Sequence, residues 1–388
     1  MIAKRRMLIA GGGIGGLTAA LALLRHRFDV EVFEVATALS DVGAGVTLAP
    51  NAMLGFQYLG LGAAIEVLGT QPSQQEIRHW EDGRVLMLLK RGDRMRSEYG
   101  APYIYMHRAD LHHILIDAVQ SRGGRVHLGS PVTGATWSNS EATLELATGK
   151  QVRGDLVIGA DGLKSAIRSL FEPAPPHFTG HVAWRALAPI DEALRDFEIR
   201  PGSFIGPDRL VVYYPLRGGT LLNLVFFARQ QGWTEDGWMI PAGRGELEEA
   251  FAGWCEPVQS IIARTDKQRL FKWAVNARSP LASWTIGDRI TLLGDAAHAM
   301  TPFLGQGASS AIEDAVVLGR ALGSSESIAR GLQRYEEARI ERANFIQLES
   351  NANATRMQAR DANSFGKKEL RNEETLGLFA YDCGSVAV

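Results

Sequence analysis

The sequence is poor in cysteine and close to electrical neutrality. Its 388 residues include only two cysteines, Cys255 and Cys383, whose separation fits no common metal-binding spacing. This argues against a disulfide framework or a zinc site and favours a reducing, cytoplasmic compartment. The formal net charge of -2 argues against broad electrostatic capture of nucleic acid. We therefore expect no bound metal and no nucleic-acid partner.

Long apolar runs are also missing from the sequence. The basic residues 4–6 precede an apolar stretch, but glycines end that stretch too early for a signal peptide. No segment approaches the roughly 18 uninterrupted apolar residues of a membrane helix. Hydrophobic residues nonetheless make up 46% of the chain, which is enough for a large core. The composition predicts a cytoplasmic protein without an integral membrane segment.

Glycine, in contrast, is abundant, and one group of glycines follows the first apolar strand. The order is a predicted strand at residues 7–10, a G-x-G-x-x-G turn at residues 11–16, a helix, and a second strand at residues 30–34. The glycines of such a βαβ unit allow a tight turn and the close approach of a pyrophosphate, which meets the amides at the helix N-terminus. Glu34 ends the second strand, where its carboxylate can bind ribose hydroxyls. The unit predicts a dinucleotide site that would fit FAD or NAD.

Two acidic motifs repeat this strand–turn arrangement further along the chain. Asp161 follows a strand predicted at residues 155–160 and precedes a predicted helix, and Asp295 follows a strand predicted at residues 289–293. Each carboxylate could cap a helix or bind a cofactor hydroxyl. The loop at residues 305–307 opens the next helix, and its amides suit the electron-rich edge of a reduced flavin.

Between these motifs the chain changes character. A proline cluster at residues 172–176 predicts a domain crossing. From there to about residue 275, alternating and aromatic runs predict an antiparallel sheet with a hairpin at residues 217–220. A long charged helix is predicted at about residues 327–360, and residues from 381 onward are predicted to form a surface tail.

The three motifs, in this order and context, resemble those of the single-component flavoprotein aromatic hydroxylases. Within that family the chain is most similar to the salicylate, 3-hydroxybenzoate and 6-hydroxynicotinate monooxygenases. The resemblance extends over essentially the whole chain, and the further segments that carry it are residues 43–45 with 50–51, 107–111, 184–187, 214–219 and 302–307.

The resemblance implies an α/β fold with an FAD-binding, Rossmann-like domain of the glutathione-reductase type. A mainly antiparallel substrate sheet is inserted into this domain, and a long C-terminal helix follows. The expected FAD-binding domain comprises residues 1–72, 103–173 and 276–388. The expected substrate-binding domain comprises residues 73–102 and 174–275.

The resemblance also implies a reaction. FAD would be tightly bound, NADH would be a transient co-substrate, and O2 would add at flavin C4a to form the hydroperoxide that hydroxylates a small aromatic acid. The protein would be a monomer or a homodimer. Two alternatives remain open from the sequence: a flavin-dependent reductase or dehydrogenase of the same fold, and a non-catalytic FAD-binding regulator.

The expected site residues fall into two groups. The cofactor group is Gly11, Gly13, Gly15, Gly16, Glu34, Val35, Arg108, Leu128, Asp161, Asp295, Gly305, Gln306, Gly307 and Ala308. The substrate group is Thr47, Arg185, Arg209, Tyr213, Tyr214 and Pro302, of which Thr47, Tyr213 and Tyr214 are the catalytic candidates.

The two tyrosines are adjacent in a strand, so their side chains should point to opposite faces of the sheet. One can then face the flavin while the other packs in the core, and the sequence does not say which. Thr47 stands where the hydroxynicotinate enzymes have a histidine. Threonine is a poor base, so a two-residue base cannot simply be transferred to this chain.

The remaining polar candidates are less specific. Arg185 lies in mid-strand, where pairing with a carboxylate of substrate or protein would offset the cost of burial. Arg209 could bind a substrate carboxylate or belong to an exposed turn. His298 is expected to orient its loop, whereas His112 and His113 are expected to have no functional role.

Overall fold

The computed structural model describes residues 4–38, 44–235, 237, 239–358, 361–365 and 371–388. In these parts of the chain the helices are α1 (Ile14–Arg25), α2 (Pro50–Tyr58), α3 (Gly62–Leu68), α4 (Asp93–Tyr99), α5 (Arg108–Ser121), α6 (Arg195–Ile199), α7 (Arg244–Ala250), α8 (Glu256–Ala263), α9 (Asp295–His298), α10 (Gly307–Gly323) and α11 (Ile328–Met357). The strands are β1 (Arg6–Ala10), β2 (Asp29–Phe33), β3 (Gly45–Leu48), β4 (Gln74–His79), β5 (Val85–Lys90), β6 (Ile104–His107), β7 (Arg125–His127), β8 (Val132–Trp137), β9 (Ala142–Leu146), β10 (Gln151–Gly154), β11 (Leu156–Gly159), β12 (His177–Pro189), β13 (Gly202–Gly206), β14 (Arg209–Leu216), β15 (Leu221–Arg229), β16 (Ile240–Pro241), β17 (Phe271–Ala277), β18 (Thr285–Ile286) and β19 (Ile290–Leu292).

A six-stranded sheet carries the N-terminal glycine motif. Its order is β18-β19-β11-β1-β2-β7, and all neighbours are parallel except β18 and β19. Residues 7–10 of β1 are fully buried because a parallel sheet of this kind is covered on both faces, which explains the uninterrupted apolar run. The carboxyl ends of β1, β11 and β19 lie side by side. The glycine turn and both acidic motifs therefore meet at one edge.

An eight-stranded sheet is built from residues 74–90 and 177–277, and it extends two residues past the second of the stretches expected to form the insert, 73–102 and 174–275. Its order is β16-β17-β12-β15-β14-β13-β4-β5, and all neighbours are antiparallel except β13 and β4. The hairpin predicted at residues 217–220 joins β14 to β15. One face of this sheet packs on α7 and α8, and the other faces the turn at Phe303. A functional cleft can form on that second face.

Two predictions about local structure were wrong. The helix expected after Asp161 is a turn followed by a short 3-10 helix, Arg168–Leu170. The C-terminal residues are not a surface tail, since Cys383 is fully buried and its carbonyl accepts a hydrogen bond from Arg320 at 2.8 Å. Both segments owe their conformation to long-range contacts that local sequence patterns do not contain.

A buried ion cluster joins α10 to α11. Its members Glu313, Asp314 and Arg339 are fully buried. Arg339 pairs with Glu313 at 2.6 Å and with Asp314 at 2.9 Å. Asp314 also binds His298 at 2.6 Å and accepts a hydrogen bond from the Gly294 amide at 3.0 Å. Burial raises the pKa of Asp314, but the charges of His298 and Arg339 outweigh it and lower the pKa to about 2.

The same cluster reaches the loop at residue 306. The Asn51 side-chain amide donates to Glu313 at 2.6 Å and to Gln306 at 3.0 Å, and Arg342 pairs with Glu313 at 2.9 Å. The cluster thus fixes both the Gly294-Asp295 turn and the N-terminal end of α10. His298 has the orienting role expected of it.

Among the described residues no helix combines the length and apolar character needed to cross a membrane. The longest, α11, is rich in charged side chains along its exposed face.

Removing the cation of the buried cluster should destabilise the protein. The change Arg339→Met leaves Glu313 and Asp314 buried without their main counter-charge, and we expect a loss of about 3–5 kcal/mol in the free energy of unfolding. Urea titration of the FAD-loaded protein, followed by circular dichroism, measures the change. Arg330→Met, at an exposed position of the same helix, should cost less than about 0.5 kcal/mol. Equal shifts in the two variants would contradict the assigned role of the cluster.

Candidate functional site

The N-terminal glycine turn has the geometry of a phosphate site. Gly11 has φ +99°, and a Cβ there would lie 2.3 Å from the Ala160 carbonyl oxygen. At Gly16 a Cβ would lie 2.0 Å from the Gly11 carbonyl oxygen, whereas at Gly13 a Cβ would meet no atom within 4 Å. Gly13 caps α1 without a side-chain hydrogen bond. The backbone at Gly13 is thus open to the approach of an anion at a helix N-terminus.

Gly15, which was expected among the cofactor residues, has a packing function. A Cβ on Gly15 would lie 2.9 Å from Leu293 Cδ1 and 3.2 Å from the Ala311 Cβ. This glycine lets α1 pack closely against α10 and the strand that precedes Asp295. Close packing alone therefore explains why this position needs a glycine.

The edge beside Glu34 has the hydrogen-bond acceptor and the apolar surface that an adenosine needs. The Glu34 carboxylate accepts hydrogen bonds from the Gly12 amide at 2.6 Å and the Ala36 amide at 2.9 Å. A carboxylate has about four acceptor positions, so capacity for ribose hydroxyls remains. Val35 and Leu128 are exposed apolar side chains at the ends of the neighbouring strands β2 and β7. They provide the apolar surface on which an adenine can lie.

His112 stabilises this end of the site, although we expected no functional role for it from the sequence. Its Nε2 donates to the Gly12 carbonyl at 2.6 Å and so anchors the glycine turn to α5. The contact joins residues 100 positions apart. No local pattern could have indicated it.

The two acidic motifs differ in their surroundings. Asp161 accepts hydrogen bonds from the Ala166 amide at 2.8 Å and the Ile167 amide at 3.3 Å, which hold the turn that follows it. Burial raises its pKa. Asp295 is exposed at the start of α9 and is the better placed of the two to accept a cofactor hydroxyl.

The loop at residues 305–308 provides the other wall of the cofactor site. The α10 N-terminus has no side-chain cap, and a Cβ at Gly307 would meet no atom within 4 Å. Ala308 lies in the first turn of this helix, and the buried Gln306 side chain is held by Asn51 at 3.0 Å. The N-terminus of this 17-residue helix is open and uncapped, so it can stabilise negative charge. Together with the glycine turn and Glu34, these residues fit a flavin dinucleotide.

Comparison with known proteins identifies the family. The FAD binding domain family matches residues 4–348. The chain belongs to the FAD binding domain family. FAD is therefore its cofactor, and the predicted α/β fold with an FAD-binding domain is confirmed.

Several relatives of the chain have names that give small hydroxylated aromatic acids as their substrates. The chain is 36% identical over 349 residues to 3-amino-4-hydroxybenzoate 2-monooxygenase of Streptomyces platensis, covering 89% of this chain and 87% of that protein. It is 33% identical over 358 residues to 6-hydroxynicotinate 3-monooxygenase of Bordetella bronchiseptica, covering 91% and 92%. A salicylate hydroxylase solved with its substrate superimposes with a TM-score of 0.83 at 28% identity, covering 99% and 97% of the two chains.

A cavity of about 410 Å³ lies between the eight-stranded sheet and the turn that begins at Pro302. Four of the expected substrate residues, Thr47, Tyr213, Tyr214 and Pro302, border it, although the Tyr213 side chain packs in the core on the other face of the sheet. The Tyr214 ring stacks on Tyr105, with ring centroids 4.4 Å apart and planes 13° apart. A Cβ on Gly45 would lie 2.3 Å from the Tyr214 ring. The Tyr214 ring therefore packs against β3 and β6, two neighbouring strands that carry Gly45 and Tyr105.

The tyrosine pair is divided between the two faces of the sheet, as strand geometry requires. Tyr213 packs against Phe197 and Phe204, at centroid distances of 5.0 Å and 5.3 Å, in the core beneath α6–α8. Its side chain is fully buried, and burial raises its pKa. The structure does not bring the Tyr213 hydroxyl to the group formed by Thr47 and Tyr214.

The two candidate arginines of the insert are also separated. Arg185 lies on the face of Tyr214, with its guanidinium 5.0 Å from the Trp273 ring centroid. Burial, followed by repulsion from the exposed Arg108, lowers the Arg185 pKa to about 10, and Tyr214 opposes this shift. Arg209 shares the strand face of Tyr213, and neither arginine is among the residues around the cavity. Arg185 is therefore the candidate whose charge lies on the same face of the sheet as Tyr214.

Replacing Asp295 should weaken FAD binding without harming the fold. Its carboxylate is exposed, so Asp295→Ala removes a charge-assisted hydrogen bond to the cofactor and little else. We expect the FAD dissociation constant to rise by about 10-fold or more, measured by fluorescence titration of the apoprotein. Asp117→Ala, an exposed position on α5, is the matched control. Unchanged FAD affinity in Asp295→Ala would reject the assignment.

Proposed function

We propose that the protein is an FAD-dependent NADH:O2 monooxygenase that hydroxylates a small aromatic acid of the hydroxybenzoate or hydroxynicotinate type. The observation that carries this proposal is the cavity lined by Tyr214 and Thr47 beside the turn at Pro302. Its volume of about 410 Å³ is at the small end of the range for ligand pockets, about 300–1,000 Å³. The relatives' activities on hydroxylated aromatic acids support the same substrate class.

Bound FAD would accept a hydride from NADH and activate O2, so that one oxygen atom enters the ring and the other leaves as water. The described residues contain one glycine turn of the dinucleotide-binding type, and FAD accounts for it. NADH would therefore bind transiently, without a dedicated nucleotide-binding domain.

Tyr214 would act as a hydrogen-bond donor to the substrate. Burial raises its pKa to about 12, although the charge of Arg185 and the nearby Thr47 hydroxyl oppose the shift. The hydroxyl is therefore neutral at physiological pH and cannot serve as a resting base. It can donate to a substrate phenolate, and the Arg185 charge stabilises the same anion. An ionised phenol is a stronger nucleophile, which aids attack by the ring.

Apolar side chains around the cavity would keep water from the reacting atoms. Tyr105, Val212 and Phe303 line the cavity, and all three lie in hydrophobic clusters. Such a lining replaces solvent around a reactive oxygen donor and limits its loss by hydrolysis.

A substrate panel tests the proposed reaction directly. Salicylate, 3- and 4-hydroxybenzoate, 3-amino-4-hydroxybenzoate and 6-hydroxynicotinate are each mixed with FAD-loaded protein, NADH and O2. We expect at least one to stimulate NADH oxidation and to give a hydroxylated product in nearly stoichiometric yield. Stimulated NADH oxidation without hydroxylated product would favour a reductase. A lack of stimulation by any compound would favour a non-catalytic FAD-binding protein.

The tyrosine pair offers a matched test of the assigned donor. Tyr214→Phe should lower kcat for hydroxylation by about 100-fold or more, because the substrate phenolate loses its hydrogen bond. Tyr213→Phe alters the same residue type on the opposite face and should stay within about 3-fold of wild type. Stopped-flow kinetics with the best substrate of the panel measures both. Similar rates in the two variants would place the donor elsewhere.

A further inference from the structure

Glu373 contributes a carboxylate to the cavity from the C-terminal part of the chain, which no sequence motif connected with the site. It belongs to the segment at residues 371–388 and lines the cavity together with Tyr103 and Gly305. The Glu373 Oε1 atom lies 3.9 Å from the position that a Cβ on Gly305 would occupy. This carboxylate is therefore a direct neighbour of the loop that opens α10.

A small set of polar groups holds Glu373 in place. The Tyr103 hydroxyl donates to its Oε1 at 3.3 Å, Arg91 Nη2 lies 3.7 Å from Oε2, and Gln306 lies beside it. Arg91 is buried and is shared with Glu374 at 3.4 Å. Glu374 is also paired with Arg94. One buried arginine thus serves two adjacent carboxylates, and Glu373 has the longer contact of the two.

The electrostatic surroundings make Glu373 a strong hydrogen-bond acceptor and disfavour a second anion close to it. Its side chain is only 13% exposed, and burial raises its pKa despite the opposing charge of Arg91. A carboxyl group has about four acceptor positions, of which the Tyr103 hydroxyl uses one and the Gln306 side chain a second. A hydrogen-bond donor placed in the cavity would use one of the positions that remain. A substrate carboxylate in the same place would be repelled.

We propose that Glu373 accepts a hydrogen bond from an amino, ring N–H or second hydroxyl group of the substrate and thereby selects aromatic acids that carry such a donor. This inference rests on the proposed function and deepens it, because it assigns a specificity residue to the cavity. A site discriminates strongly between two ligands when the wrong ligand leaves a buried polar group without a hydrogen-bond partner.

Ligand binding to the oxidised, FAD-loaded protein tests this role without turnover. The probes are 3-amino-4-hydroxybenzoate and 4-hydroxybenzoate, which differ only in the amino group, and the dissociation constants come from the change in flavin absorbance. We expect wild type to prefer the amino compound by about 10-fold or more, and Glu373→Gln to reduce that preference to about 2-fold or less. Glu374→Gln changes the adjacent carboxylate and should retain the preference.

Three results would overturn the proposal. These are an unchanged preference in Glu373→Gln, loss of the preference in Glu374→Gln as well, and no preference in wild type. Should Glu373→Gln fail to retain FAD, Glu373→Asp, which withdraws the carboxylate by one methylene, is measured by the same criterion.

The outcomes also separate this inference from the proposed reaction. A preference that depends on Glu373, but without hydroxylated product from any probe, supports the binding role and contradicts the monooxygenase. Hydroxylated product with a preference that does not depend on Glu373 contradicts only the binding role.

Discussion

The pairing of Arg339 with Glu313 and Asp314 is the interaction on which the cofactor site depends. All three side chains are fully buried, so each charge is tolerable only while its partners stay in place. Asp314 binds the Gly294 amide, and Glu313 reaches Gln306 through Asn51. Both loops that we assign to the cofactor site are therefore positioned by one set of ion pairs. A shift of α11 relative to α10 would move both loops together.

A second constraint is the contact between the two sheets at Tyr214. The ring projects from the insert, stacks on Tyr105 and lies against Gly45, so the insert packs on the FAD-binding part at this aromatic side chain. The Gly45 amide also donates to Asn223 of the insert at 2.7 Å. The position of the substrate cavity relative to the cofactor loops is thus fixed by close packing, which tolerates little displacement.

Two charged groups bear on the orientation of a substrate in the function that we propose. Arg185 would favour an anionic substrate oxygen near Tyr214, whereas Glu373 would favour a donor at the wall formed by the C-terminal segment. Because water is largely excluded, both preferences are stronger than they would be at a surface. The cavity can therefore orient a small, nearly symmetrical ring by its polar substituents.

The sequence alone determined the features that follow from local periodicity and short motifs. These are the βαβ unit with its glycine turn, Glu34 at the strand end, the alternation that separates Tyr213 from Tyr214, and the helices α10 and α11. The tertiary structure decided which tyrosine ring packs on Tyr105, that Gly15 serves packing, that Asp161 holds the turn that follows it, and that His112 and Glu373 lie at the site. Those outcomes depend on contacts between residues tens to hundreds of positions apart, and no local pattern encodes which side of a sheet another element will cover.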